Sequence, residues 1–259
     1  MNYLTQLAII CPLVFIGGFI DSIAGGGGLI SLPAYLIAGF PPHVAAGTNK
    51  MAAAIGLAAA SRNYMKAGQI DIPLCLRIIA GALVGAVVGA RIALSIDDRI
   101  FKLIIVLAIP VACVIMLLSR RSVAAMLDSS AEPERTSSWY IRAAVIGVGV
   151  GLYDGLIGPG TGTLMILLIT GLLSVGLVRA SASAKLCNCV STSTSCLMFL
   201  LEGKVLFAVA IPAVIACILG NYFGSKYAIR GGAKYIKPMI VIVVAMLFIK
   251  LVYDLAASL

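Results

Sequence analysis

Long charge-free runs dominate this chain, and they come in two matching sets. Residues 4–39 hold one charge, Asp21; 44–61 hold only Lys50, 72–90 only Arg77, and 103–118 none. Further on, 143–178 hold only Asp154, 180–201 only Lys185, 205–225 none and 238–253 only Lys250. A helix needs about 20 apolar residues to cross the hydrocarbon of a bilayer, and most of these runs approach or reach that length. The pattern predicts an all-α polytopic membrane protein. The two 36-residue runs are too long for one ordinary crossing. Each is expected to form two helices or a hairpin of half-helices, for eight or ten segments in the whole chain.

Glycine punctuates both long runs. The first contains Asp21-Ser22-Ile23-Ala24-Gly25-Gly26-Gly27-Gly28, followed by Thr48-Asn49-Lys50. The second contains Asp154-Gly155-Leu156-Ile157-Gly158-Pro159-Gly160-Thr161-Gly162, followed by Ser183-Ala184-Lys185. Asp21 and Asp154 stand 133 positions apart; beyond the breaks the offset is 135, linking Lys50 to Lys185, Gly68 to Gly203, Gly85 to Gly220 and Gly89 to Gly224. The expected division is a membrane repeat over 1–120, a polar cytoplasmic linker over 121–140, and a second membrane repeat over 141–259. Gly81, Gly85 and Gly89, matched by Ala216, Gly220 and Gly224, form small-residue ridges. Such ridges let helix backbones approach closely where lipid supplies no hydrophobic drive.

Composition supports lipid as the solvent. Hydrophobic residues make up 61% of the chain and charged ones 11%, against roughly a quarter charged in soluble domains; mean hydropathy is +1.11. The net charge of +9 would suit nucleic acid, but basic cytoplasmic loops account for it better. The first residues carry no basic stretch or cleavage pattern, so they are expected to open the first membrane segment. The seven cysteines mostly lie in apolar runs, and with His43 remote they suggest packing, with no metal site and no cofactor.

Loop charges also orient the repeats. The 62–77 loop carries Arg62, Lys66 and Arg77, whereas its counterpart at 197–211 carries only Lys204. The linker region holds Arg120, Arg121, Arg135 and Arg142, and the 226–237 loop holds Lys226, Arg230, Lys234 and Lys237. Two inverted-topology repeats, each with a glycine-broken re-entrant half-helix, put all three basic regions in the cytoplasm. A parallel arrangement exposes one of them outside.

The breaks are where chemistry is expected. Non-helical backbone at membrane depth must be buried in protein or line a wet cavity. A helix that starts there offers free N–H groups and a positive dipole end, which suit an oxyanion. Repeated broken helices are a recurring way to build a transport site at mid-bilayer. The candidate substrate-binding groups are Gly25, Gly26, Gly27, Gly28, Thr48, Asn49 and Lys50 in the first half. In the second they are Gly158, Gly160, Thr161, Gly162, Ser183, Lys185 and Asn188. Buried lysines at equivalent positions point to an anion, though snorkelling to the interface is the competing explanation. Asp21 and Asp154 could cap the following half-helices, pair with the lysines or carry a coupling proton. Ser181, Ser191 and Thr192 add hydroxyls. There is no nucleotide-binding loop, HExxH or serine–histidine set, so catalysis is not expected and an ion or substrate gradient must drive the work.

These segments resemble the TauE/SafE family of sulfite exporters, also called the TSUP permeases. The likeness rests on Gly18–Gly28, Gly47-Thr48-Asn49-Lys50, Gly151–Gly155, Gly158–Gly162 and Arg179–Lys185, and it spans essentially the whole chain. It implies a multi-pass inner-membrane permease for sulfite, a sulfonate or a related small organic anion, working by alternating access. An anion channel is the alternative. Expected partners are the small anionic substrate, the lipid bilayer and a proton or other coupling ion; nucleic acid is not expected, and a homo-oligomer is compatible with the pattern.

Overall fold

The computed structural model describes residues 1–105, 135–236 and 238–240. Most of the linker (121–134), the apolar runs beyond 105 and beyond 240, and Cys113, Arg120, Arg121, Lys237 and Lys250 lie outside the described residues. The named helices are α1 (Tyr3–Ala24), α2 (Gly28–Ile37), α3 (Pro42–Lys66) and α4 (Ile72–Leu94). The second half has α5 (Ser137–Leu156), α6 (Thr161–Leu173), α7 (Leu177–Leu201) and α8 (Phe207–Gly231). No strand occurs among the described residues. Helix α5 starts inside the span read as linker.

Local chemistry explains the boundaries. α3 and α4 each carry proline in the first turn, where the missing N–H costs no hydrogen bond. Asp71 caps α4 by accepting the Leu74 N–H at 3.2 Å. Gly68 and Gly203, just past the ends of α3 and α7, both take φ +66°, the left-handed turn that ends a helix. α1, α4, α7 and α8 are long and apolar enough to cross a membrane. α2 has 10 residues and α6 has 13, about 15–20 Å of helix, roughly half of a 30 Å hydrocarbon core. Each long apolar run is therefore one full-length helix followed by a short one.

Packing crosses between halves. α1 lies against α8 and α4 against α5; α3 packs on α7 and α8, and α7 also packs on α4. Exchanging the halves maps this pattern onto itself. A Cβ on Gly81, Gly85 or Gly89 would stand 2.2 Å from the carbonyl oxygen of Ala144, Val148 or Leu152. Gly147, Gly151 and Gly155 of α5 are pressed as tightly against the backbone of α4. Gly220 and Gly224 meet the Phe15 and Phe19 carbonyls of α1 in the same way, whereas Ala216 is only half-buried and its neighbour Cys217 takes the interface. These small residues hold the bundle together, since side chains would part the helices.

Two apolar clusters fill the interior. One joins the C-terminal ends of α1 (Ile23), α3 (Tyr64) and α8 (Ala228) to the N-terminal ends of α4 (Leu74), α5 (Trp139) and α7 (Leu177). The other joins the opposite ends of the same six helices, including Val14, Ala45, Ala93, Phe199 and Val209. Members correspond across the 135-residue offset, as Phe199 does to Tyr64 and Val209 to Leu74.

Candidate functional site

The two glycine breaks touch. A Cβ on Gly25 would fall 2.1 Å from the Thr163 nitrogen, one on Gly162 2.9 Å from the Gly25 Cα, and one on Gly28 3.0 Å from the Pro159 Cα. Only glycine lets the backbones cross here, and Gly25 (φ 80°, ψ −178°) also holds a conformation closed to other residues.

Ending α1 at this depth strands its last carbonyls away from water. Each finds a donor. The Asp21 carbonyl accepts the Gly25 N–H at 2.9 Å, and that of Ser22 accepts the Tyr64 hydroxyl at 2.9 Å. The Ile23 and Ala24 carbonyls accept the hydroxyls of Ser181 at 2.9 Å and Thr163 at 3.0 Å, both from the other half. The end of α5 is closed differently: the Lys50 ammonium donates to the Asp154 carbonyl and lies 3.8 Å from Asp154 Oδ1. A cation at a helix C-terminus also meets the negative end of its dipole.

The two aspartates are held unequally. Asp154 Oδ2 accepts the hydroxyls of Ser191 at 2.7 Å and Thr192 at 3.0 Å. Thr161 sits 3.4 Å from Oδ1 but is closer, at 2.5 Å, to the Gly158 carbonyl, which takes its one proton. Asp21 Oδ1 accepts the Gly27 N–H at 3.0 Å and so caps α2; among the described residues no hydrogen bond reaches its other oxygen. The equivalents of Ser191 and Thr192 are Gly56 and Leu57, so Asp21 has no hydroxyls to receive.

Between the breaks lies a cavity of about 40 Å³. At 10–15 Å³ per water, that is room for roughly three waters. Asp21, Gly28, Asn49, Lys50, Asp154, Gly158, Gly160, Thr161, Gly162 and Asn188 line it; eight are candidate substrate-binding residues, and Asp21 and Asp154 are the candidate capping or coupling acids. Among the described residues the N–H groups of Gly28, Gly160 and Gly162 make no hydrogen bond within the protein. Thr192 completes the polar wall, and Leu32, Ala46, Ala53, Leu57 and Ile157 form an apolar side that sequence reading did not identify.

The remaining candidates lie elsewhere. Gly25, Gly26 and Gly27 build the crossing but do not line the cavity. Thr48 accepts the Leu206 N–H at 3.1 Å and Ser183 the Asp71 N–H at 3.0 Å, so both hydroxyls clamp the start of a neighbouring helix, at equivalent positions. Lys185 is 0% exposed, is absent from the cavity wall, and among the described residues its ammonium has no hydrogen-bond partner. The expected pair of cavity lysines is thus one cavity lysine and one sealed behind it. Among the described residues no cluster of His, Cys, Asp or Glu has the makings of a metal site.

A polar cavity with a buried ammonium, enclosed by helices of membrane-crossing length, is the build of a multi-pass membrane transport protein. The chain belongs to the sulfite exporter TauE/SafE family, whose pattern matches residues 10–251. It is 35% identical over 248 residues to a "Probable membrane transporter protein" of Haemophilus influenzae, covering 96% of this chain and 95% of that one. It is 35% identical over 249 residues to "Probable membrane transporter protein ORF9" of a Sinorhizobium species (96% and 93%). It is also 34% identical over 250 residues to "Probable membrane transporter protein YfcA" of Escherichia coli K12 (96% and 90%). No solved structure matches the chain.

Proposed function

We propose that this protein is a secondary transporter carrying a small anion, sulfite or a sulfonate-like oxyanion, across the cell's inner membrane by alternating access. The observation that carries the reading is the convergence of Lys50, the Asn49 and Asn188 side chains and unbonded glycine N–H groups on one cavity between two touching breaks. Its volume of about 40 Å³ suits a compact oxyanion of a few heavy atoms; a longer sulfonate requires the cavity to open. The segregation of helix ends, α1, α3 and α8 by their C-termini with α4, α5 and α7 by their N-termini, supports inverted repeats. Equivalent helices then run in opposite senses about the cavity, an arrangement suited to rocking around a fixed site. To meet an incoming anion the Lys50 ammonium exchanges its bond to the Asp154 carbonyl at the α5 terminus for one to the anion's oxygens.

Counter-flow in proteoliposomes tests this. Labelled sulfite should exchange saturably against internal sulfite, with sulfate, taurine, sulfoacetate and lactate ranked by competition. Lys50→Gln should lose the saturable component while eluting as folded protein. Wild-type saturable exchange in that variant would remove Lys50 from the site, and a non-saturating conductance without counter-flow would establish a channel.

A further inference from the structure

The equivalence of Lys50 and Lys185 in sequence conceals a difference in what each is bonded to. Lys50 closes the end of α5 through the Asp154 carbonyl. The matching carbonyl, that of Asp21, is already taken by the Gly25 N–H, because the first break is two residues shorter and folds straight back. Lys185 is left fully buried with no hydrogen bond among the described residues, and Asp21 is the carboxylate that acts on it electrostatically. Asp21 in turn has one backbone donor, one unbonded oxygen and a place on the cavity wall.

From this asymmetry we infer that the two acid–lysine sets divide the labour: Lys50 with Asp154 holds the anion, and Asp21 backed by Lys185 is the proton site that couples transport to a proton gradient. The inference rests on the anion-transport reading above and adds the coupling ion.

The unequal bonding of the two carboxylates supports such a division. Asp154 accepts the hydroxyls of Ser191 and Thr192 on one oxygen and faces Lys50 with the other. Both oxygens of Asp154 are thus engaged, whereas Asp21 keeps one unbonded oxygen at the cavity wall, with its lysine partner, Lys185, outside the cavity. An anion entering beside an ionised Asp21 meets a second negative charge across a few ångströms of low-dielectric space; beside a protonated Asp21 it does not. Anion and proton consequently bind better together than apart, and by linkage each strengthens the other equally. The proton comes from cavity water on the side where the cavity is open, attaches to the unbonded Asp21 oxygen, and returns to water on the other side with the anion. Lys185, three donors unmet, sets how readily Asp21 holds that proton without touching the substrate; it is a positioning residue.

The titratable groups facing Asp21 are Lys185 on α7, Asp154 on α5, Lys50 on α3 and Cys217 on α8. α2 contributes only Tyr35, packed in the apolar cluster at the other end, and α6 contributes no acid or base. The two arginines of α4, Arg77 and Arg91, are exposed on its outer surface.

The test uses the full chain in lipid nanodiscs and reads protonated carboxyl groups by infrared difference spectroscopy during pH titration, with no substrate present. One band, set apart from those of the surface acids by the higher C=O frequency of a buried carboxyl, should titrate in the wild type, vanish in Asp21→Asn, reappear at a shifted frequency in Asp21→Glu, and survive in Asp154→Asn. Lys185→Gln should move its midpoint, and Gly149→Leu, on the open outer face of α5, should leave the midpoint in place. In proteoliposomes, an imposed pH gradient should concentrate labelled sulfite in the wild type and fail to do so with Asp21→Asn. A band that persists in Asp21→Asn, or that disappears with Asp154→Asn alone, overturns the assignment. If the band behaves as described while no anion on the panel moves saturably, the proton site stands and the transport reading falls.

Discussion

Replacing Gly25 by alanine tests whether the touching breaks carry the stability of the molecule's centre. Two independent costs apply. Gly25 has φ 80° and ψ −178°, a region essentially reserved for glycine, and forcing alanine into it costs about 1–3 kcal/mol. The new methyl would also sit 2.1 Å from the Thr163 nitrogen and 2.3 Å from the Gly162 carbonyl carbon. Backbone must move by more than 1 Å, on the order of 1–3 kcal/mol for overpacking in a tight interior. The expected destabilisation is about 2–6 kcal/mol. Gly68→Ala separates the two terms, because Gly68 also has positive φ (+66°) but nothing within 4 Å of its would-be methyl. Left-handed backbone costs alanine about 1–2 kcal/mol, partly offset by its stiffer unfolded chain, so about 1 kcal/mol should remain. Titration with a denaturing detergent in mixed micelles, followed by tryptophan fluorescence of Trp139, gives both values. A Gly25→Ala protein as stable as Gly68→Ala would show that the breaks do not press together, and the cavity geometry would fail with them.

Further outcomes follow from the helix contacts. Gly85→Leu should abolish a monodisperse product on size exclusion, because the side chain starts 2.2 Å from the Val148 carbonyl; Gly149→Leu, whose position on α5 opens to free space, should behave as wild type. Arg135 makes paired bonds of 3.3 and 2.5 Å to buried Asp71. Its side chain is 36% exposed, so Arg135→Ala should cost only about 1 kcal/mol in the same titration, shrinking as salt is raised.

Much of the site was legible because a charge or a glycine cluster stands out in an apolar run. Asp21, Lys50 and Asp154 are conspicuous for that reason, and their depth follows from helix length. The fate of Lys185 was not legible. It turns on whether an N–H or an ammonium closes the last carbonyl of a broken helix, and a two-residue change in the break decides that. Thr48 and Ser183 were misleading for a related reason: a hydroxyl beside the site and one turned to a neighbouring helix differ only in helix rotation. The apolar wall (Leu32, Ala46, Ala53, Leu57, Ile157) resembles every lipid-facing stretch in composition. Helix pairing was legible in part, since the ridges on α4 and α8 were visible as small residues at four-residue spacing, but the glycines of α5 that answer them gained meaning only with the partner known.

Thr48 on α3 holds the start of α8, and Ser183 on α7 holds the start of α4; α1 finds its main neighbour in α8, and α4 in α5. Neither half owns the contacts it needs. During synthesis α1 must wait for its main neighbour until α8, the last of the named helices, has been made. Each half on its own would leave these contact faces bare, so severing the chain between α4 and α5 should leave two fragments that are stable only when made together.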